Sequence, residues 1–180
     1  MPGFSANFFE IVIYIVPGFV VLYSFRHLSS SLEEMFRAIS SSSGTPTLIA
    51  LMVLAMANGV IIAGISSITI PFLARMLTPK PKSPMHTHKL NFAKLYDNPD
   101  KIQMFLHHMR IYQAYAHMTI ALMLSLVAFL WGSKFNSPPT EHWHIKLGIL
   151  LFFILSMLWA AVRYFRHVFH IADTLSNADN

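Results

Sequence analysis

Apolar positions along this chain run together in four long stretches, separated by polar connections, rather than marking one face of a water-exposed helix. Residues 11–25 carry no charge, and Phe8 and Phe9 extend that run across Glu10. Pro17 and Gly18 interrupt its middle, so it is expected to be a kinked span, a re-entrant element or an interfacial helix. The second stretch is uncharged over residues 38–74 and most membrane-like over 48–72, with Pro71 expected to kink or end it. Its Gly59 and Gly64, with Ala57, Ala63 and Ser66, form a small-residue surface suited to close helix packing. Residues 111–131 hold one histidine, His117, and no formal charge. Residues 147–162 read LGILLFFILSMLWAAV and turn basic and aromatic at Arg163, Tyr164 and Arg166. These last two stretches read as spanning helices. Tyr112, Tyr115, Trp131, Trp143, Trp159 and Tyr164 mostly fall near the span ends, as an interfacial aromatic belt requires.

The connections carry their own signals. Ser31, with Glu34 three residues later, is expected to cap a short helix over residues 32–39. Leu32, Met35, Phe36 and Ile39 then make one apolar stripe opposite Glu33, Glu34 and Arg37, the pattern of a helix lying on the membrane surface. TPKPKSP at 78–84 is an extended connection because three prolines punctuate it. Asp97-Asn98-Pro99-Asp100 is a helix start, with Asn98 the cap and Pro99 the first helical residue. One helix is expected from there to Gly132, entering the membrane near Tyr112. Thr140 is expected to cap a last helix from Glu141.

With 180 residues, 54% hydrophobic and 12% charged, the chain fits a single all-α membrane domain over 1–180, disorder being excluded by the same figures. Seven of the 13 Lys and Arg residues lie in 75–110, marking a basic connection that continues into the third long helix. The net charge of +5 is too small to suggest a nucleic-acid partner without a clustered face or a known motif; membrane lipid is the expected one. The lack of cysteine removes disulfides, thiol nucleophiles and thiolate metal sites. The first ten residues lack Lys and Arg, so a cleaved signal peptide is not expected. Four crossings put the termini and the 75–110 connection on one side with nine basic residues, against four on the other. That bias makes both termini cytoplasmic in a bacterial inner membrane.

Ten histidines, many paired, are the obvious candidates for chemistry: His86 with His88, His107 with His108, His142 with His144, His167 with His170. Histidine clusters near span ends resemble those of membrane di-iron oxygenases and desaturases, although the repeated HxxHH spacing is missing. His117 and His167 would be the pair for a haem. On a helix, His107, Arg110 and Ala114 share one face, and His108, Tyr112 and Tyr115 another. Gln113 and His117, four apart, line one surface or bond to each other. Such a polar strip entering the bilayer is expected to line or gate a cavity. Arg163, Arg166, His167 and His170 form a basic cytoplasmic face for lipid head groups or a vestibule. The Arg163–His167 spacing superficially resembles that of HEPN-type ribonucleases, but the adjoining span denies folded RNA access.

HMRIYQAYAHM at 108–118 resembles an uncharacterised bacterial family of small multi-span proteins whose matching region reads approximately HYRYYQFYANM. VPGFVVLY at 16–23 and the basic aromatic end of the fourth span are similar to that family as well. By that resemblance His108, Arg110, Tyr112, Gln113 and Tyr115 occupy the family pattern, while Ile111, Ala114 and His117 depart from it. The resemblance implies an association with membrane-acting effectors of bacterial defence. The reading is therefore a homo-oligomeric pore or membrane-perturbing effector, answering to a protein trigger or partner, with no catalytic residue and no cofactor. Its alternatives are a histidine-rich metal- or haem-dependent enzyme and a noncatalytic scaffold.

Overall fold

The computed structural model describes residues 3–39, 45–77, 99–135 and 142–177. They form five helices joined at one point by a single 3-10 turn: α1 (Gly3–Phe25), the turn Arg26–Leu28, α2 (Ser30–Ile39), α3 (Thr45–Met76), α4 (Pro99–Phe135) and α5 (Trp143–Asn177). Four of them are long and apolar enough to cross a membrane, and α2 is the short fifth. The fold is an all-α, multi-span membrane protein.

α1 continues as one helix through Pro17, and at about 1.5 Å per residue its 23 residues reach roughly 35 Å, a full hydrocarbon thickness. Pro71 likewise neither ends nor breaks α3, which continues to Met76. α4 begins at Pro99, where the missing N–H costs nothing. The candidate caps Asn98 and Thr140, the TPKPKSP connection, and His86 and His88 lie outside the described residues.

The long helices run up, down, up and down. Tyr14 and Gly18 of α1 meet Gly59 and Ala55 of α3 in antiparallel register. Ile13 and Ser24 of α1 meet His117 and Ser125 of α4, so these two run parallel. His108 and Tyr115 of α4 face His167 and Tyr164 of α5, again antiparallel. α4 is the central element, packing on α1, α3 and α5.

Hydrophobicity cannot sort residues between lipid and protein, because lipid tails are as apolar as leucine, and size does the sorting instead. The buried stripe of α3 is Leu51, Ala55, Gly59, Ile62, Ser66, Ile70 and Ala74, rich in small residues, while Ile49, Val53, Ile68 and Phe72 face outward. Gly18 and Gly59 bring α1 and α3 into backbone contact, since a Cβ on either would collide with carbonyl atoms of Ala55 or Tyr14. Hydroxyls in this interior fold back on their own helices: Ser125 donates to the Ala121 carbonyl at 2.8 Å and Thr119 to that of Tyr115 at 2.7 Å. Ser24 Oγ lies 2.8 Å from Ser125 Oγ, a polar link between α1 and α4.

α2 lies across the end of the bundle where α1 stops and α3 starts. Leu32, Met35, Phe36 and Ile39 pack on a cluster around Leu22, Leu51 and Ala55, as their stripe predicts. Phe36 meets Phe19 and Tyr23 edge-on, each at 5.5 Å. The cap differs from the expected one: Ser29, not Ser31, accepts the Leu32 amide at 3.4 Å and is followed at once by helix. Ser29 has the extended backbone that a cap requires, whereas Ser31 is already helical, so Glu34 completes no capping box. Glu33 and Arg37 pair at 2.6 Å on the outer side.

Candidate functional site

The four long helices line a half-open cavity of about 520 Å³ in the half of the bundle toward which α4 begins and α3 and α5 finish. Every long helix contributes a wall. α1 supplies Tyr14; α3 supplies Ala63, Gly64, Ser66, Ser67 and Pro71; α4 supplies Met109, Tyr112, Gln113, Ala116 and His117; α5 supplies Phe165, Val168 and Phe169. No Lys, Arg, Asp or Glu is among these lining residues. A cavity of this size with mostly apolar walls and a few convergent polar groups has the form of a small-molecule site.

α4 places the polar groups. Its 3.6-residue period turns Tyr112, Gln113 and His117 inward together, with Met109 and Ala116 between them. Tyr112 is only 8% exposed and its ring lies 5.6 Å from that of Phe165. His117 is 4% exposed, 5.5 Å from the Tyr14 ring, with Nδ1 3.4 Å from the Ile13 carbonyl oxygen. Gln113 and His117 share the cavity surface and do not bond to each other.

The remaining strip residues lie elsewhere. Tyr115 stacks on Tyr164 at 5.3 Å, outside the cavity. His107 is exposed and touches His108 edge-on at 5.6 Å. His108 lies 5.2 Å from His167, and its buried Nδ1 has no hydrogen-bond partner among the described residues. Arg110 is half-buried. The structure thus divides the strip from His107 to His117 into an inner part on the cavity and an outer histidine cluster toward the basic connection.

On α5, Arg163, Arg166, His167 and His170 are all exposed. The Arg163 guanidinium sits over the Trp159 ring at 5.2 Å, a cation–π contact at the span end.

The pairing of His117 with His167 for a haem is not formed. His167 packs at the level of His108, nine residues before His117 and so roughly 13 Å away along α4 at about 1.5 Å per residue. Among the described residues no group of three or more His, Asp or Glu side chains is arranged to hold a metal ion. No family model, no curated protein and no solved structure matches this chain.

Tyr14, Ser66, Ser67 and the Phe165–Phe169 wall were not among the site residues expected from sequence. One signal for them exists. Pro17 strips a donor from the helix near Tyr14, and a lone mid-span histidine is a donor in search of an acceptor.

Proposed function

We infer that this multi-span protein is a membrane-embedded binding protein for an amphiphile, which it holds in the cavity between its four long helices. The observation that supports this best is the cavity itself: about 520 Å³, apolar over most of its wall, with uncharged hydrogen-bonding groups from Tyr112, Gln113 and His117 on one side. Bilayer-facing apolar helices deliver such a ligand by lateral diffusion, and the polar groups fix its head. Binding of this kind gives a defence-type effector, as the family resemblance suggests, something to respond to.

The test is native mass spectrometry of the full chain released from lipid nanodiscs. A retained amphiphile at fixed stoichiometry is expected, with at least a tenfold drop in occupancy for Ala63→Phe, which fills the cavity from α3. A protein that emerges empty and takes up no added lipid refutes the reading.

A second reading, the homo-oligomeric pore or membrane-perturbing effector, draws on Ala57 and Gly64. Both are exposed and lie seven residues apart on one side of α3, where they offer a second copy close approach. Ion flux through liposomes from a defined oligomer favours that reading, and an ion-tight complex sinks it.

A further inference from the structure

Two prolines lie within the spanning helices beside the cavity, Pro17 in α1 and Pro71 in α3. A proline has no N–H, so the carbonyl four residues earlier loses its helical donor: Ile13 in one case, Ser67 in the other. In hydrocarbon such a carbonyl is satisfied by a neighbouring helix, a side chain or a bound molecule.

The Ile13 carbonyl is met from α4 by His117 Nδ1 at 3.4 Å. A carbonyl oxygen can only accept, so the proton of a neutral imidazole resides on Nδ1 and leaves Nε2 with its lone pair outward. Nε2 has no hydrogen-bond partner among the described residues and is not fully buried, and His117 is one of the residues that line the cavity. Ser67 lines the same cavity, and its hydroxyl is turned back on the Gly64 carbonyl at 2.7 Å. Ser66 does likewise with Ala63 at 3.0 Å. Acceptors such as His117 Nε2 therefore share this cavity with the donors of Tyr112 and Gln113, and a hydroxyl, which both donates and accepts, satisfies the two together.

Charge narrows the choice further. With no Lys or Arg lining the cavity, a phosphate head would lose its hydration without a counter-charge, whereas an alcohol would not. The α3 edge is open: a Cβ at Gly64 would have no atom within 4 Å, so hydrocarbon chains too large for about 520 Å³ can remain in the bilayer.

We propose that the cavity receives the glycerol hydroxyl of a diacylglycerol-class lipid, donated to His117 Nε2, with Pro17 setting the imidazole tautomer that makes Nε2 the acceptor. This rests on the cavity being an amphiphile site. Pro17 is a positioning residue, acting only through Ile13 and His117. With alanine at 17, the helix supplies its own donor to Ile13, and His117 is released to present either nitrogen.

The experiment compares dioleoylglycerol with its O-methyl ether, binding each radiolabelled lipid to the full chain in phosphatidylcholine nanodiscs. The ether keeps both chains and loses only the donated proton. The native protein is expected to prefer the alcohol about tenfold, the worth of one hydrogen bond of roughly 1.4 kcal/mol. His117→Ala and Pro17→Ala are expected to reduce that preference to twofold or less while the ether still binds. Equal binding of alcohol and ether by the native protein overturns the hydroxyl inference and leaves the amphiphile site standing. Binding of neither overturns both. Tighter binding of dioleoyl phosphatidic acid than of the alcohol overturns the uncharged head. The native comparison needs no variant, so a variant that fails to fold does not shield the proposal.

Discussion

Three glycines of α1 and α3 show how one hydrogen atom in place of a methyl group decides helix contact. Gly18 and Gly59 sit where a Cβ would strike the backbone of the facing helix, and backbone cannot swing aside as a side-chain end can. Gly64 lies on the same α3 with open space around it. Alanine at position 18 or 59 should therefore force the helices apart at a cost of about 1–3 kcal/mol, the usual range for overpacking. Alanine at 64 should be neutral or stabilising by up to about 1 kcal/mol, because glycine is the poorer helix former. Denaturation of the three variants in one mild detergent checks the order: Gly18→Ala and Gly59→Ala well below the native protein, Gly64→Ala level with it or above. A loss at 64 as large as at 59 would mean that the open edge is filled. Sequence shows that these residues are small but not which of them touches another helix, since Gly59 and Gly64 differ only in the direction that the helix turns them.

At the scale of the element, α2 was legible in its stripe and misread in its start. Leu32, Met35, Phe36 and Ile39 recur at helical spacing and do cover the bundle end. The cap lies two residues earlier than expected because three consecutive serines, Ser29, Ser30 and Ser31, offer the same side chain. Only backbone shape chooses among them, and the 3-10 turn at Arg26–Leu28 leaves Ser29 as the extended one. Phe36 anchors the element between Phe19 and Tyr23. Phe36→Ala should lose part of the roughly 3–5 kcal/mol of a fully buried phenylalanine, since this one is half-buried. The loss should be local: faster amide exchange over 30–39 with little change in α4. Uniform acceleration through all helices would show instead that α2 is integral to the bundle. The prolines were harder to read than the stripe. Composition marks Pro17 and Pro71 as breakers, but the carbonyl freed by Pro17 is met by His117 of a second helix and Ser67, whose carbonyl Pro71 frees, lines a cavity, and that depends on neighbours remote in sequence.

For the whole molecule, alternation of α1, α3, α4 and α5 puts the cavity, the histidine cluster at His107, His108 and His167, and the basic face of α5 at one end, with α2 at the other. The four apolar stretches gave this order from sequence, but which helices would touch did not follow, because a spanning helix is apolar on its lipid-facing and its protein-facing sides alike. For the same reason the polar strip of α4 was legible as a strip, while its division between an inner cavity and an outer cluster depended on where α1 and α5 pack. By sequence nine of the 13 Lys and Arg residues fall within 75–110 and 163–166, and of the described ones Arg75, Lys101, Arg110, Arg163 and Arg166 lie on the cavity's side of the bundle. Basic loops are retained in the cytoplasm, so the cavity is expected in the inner leaflet. The absence of native cysteine makes the test clean. A membrane-impermeant maleimide should label Ser31→Cys, on α2, in intact cells, and should reach Ser83→Cys, in the basic connection, only after permeabilisation. The reverse pattern would place the cavity in the outer leaflet, where a lipid made or consumed on the cytoplasmic side would have to cross the bilayer before reaching His117.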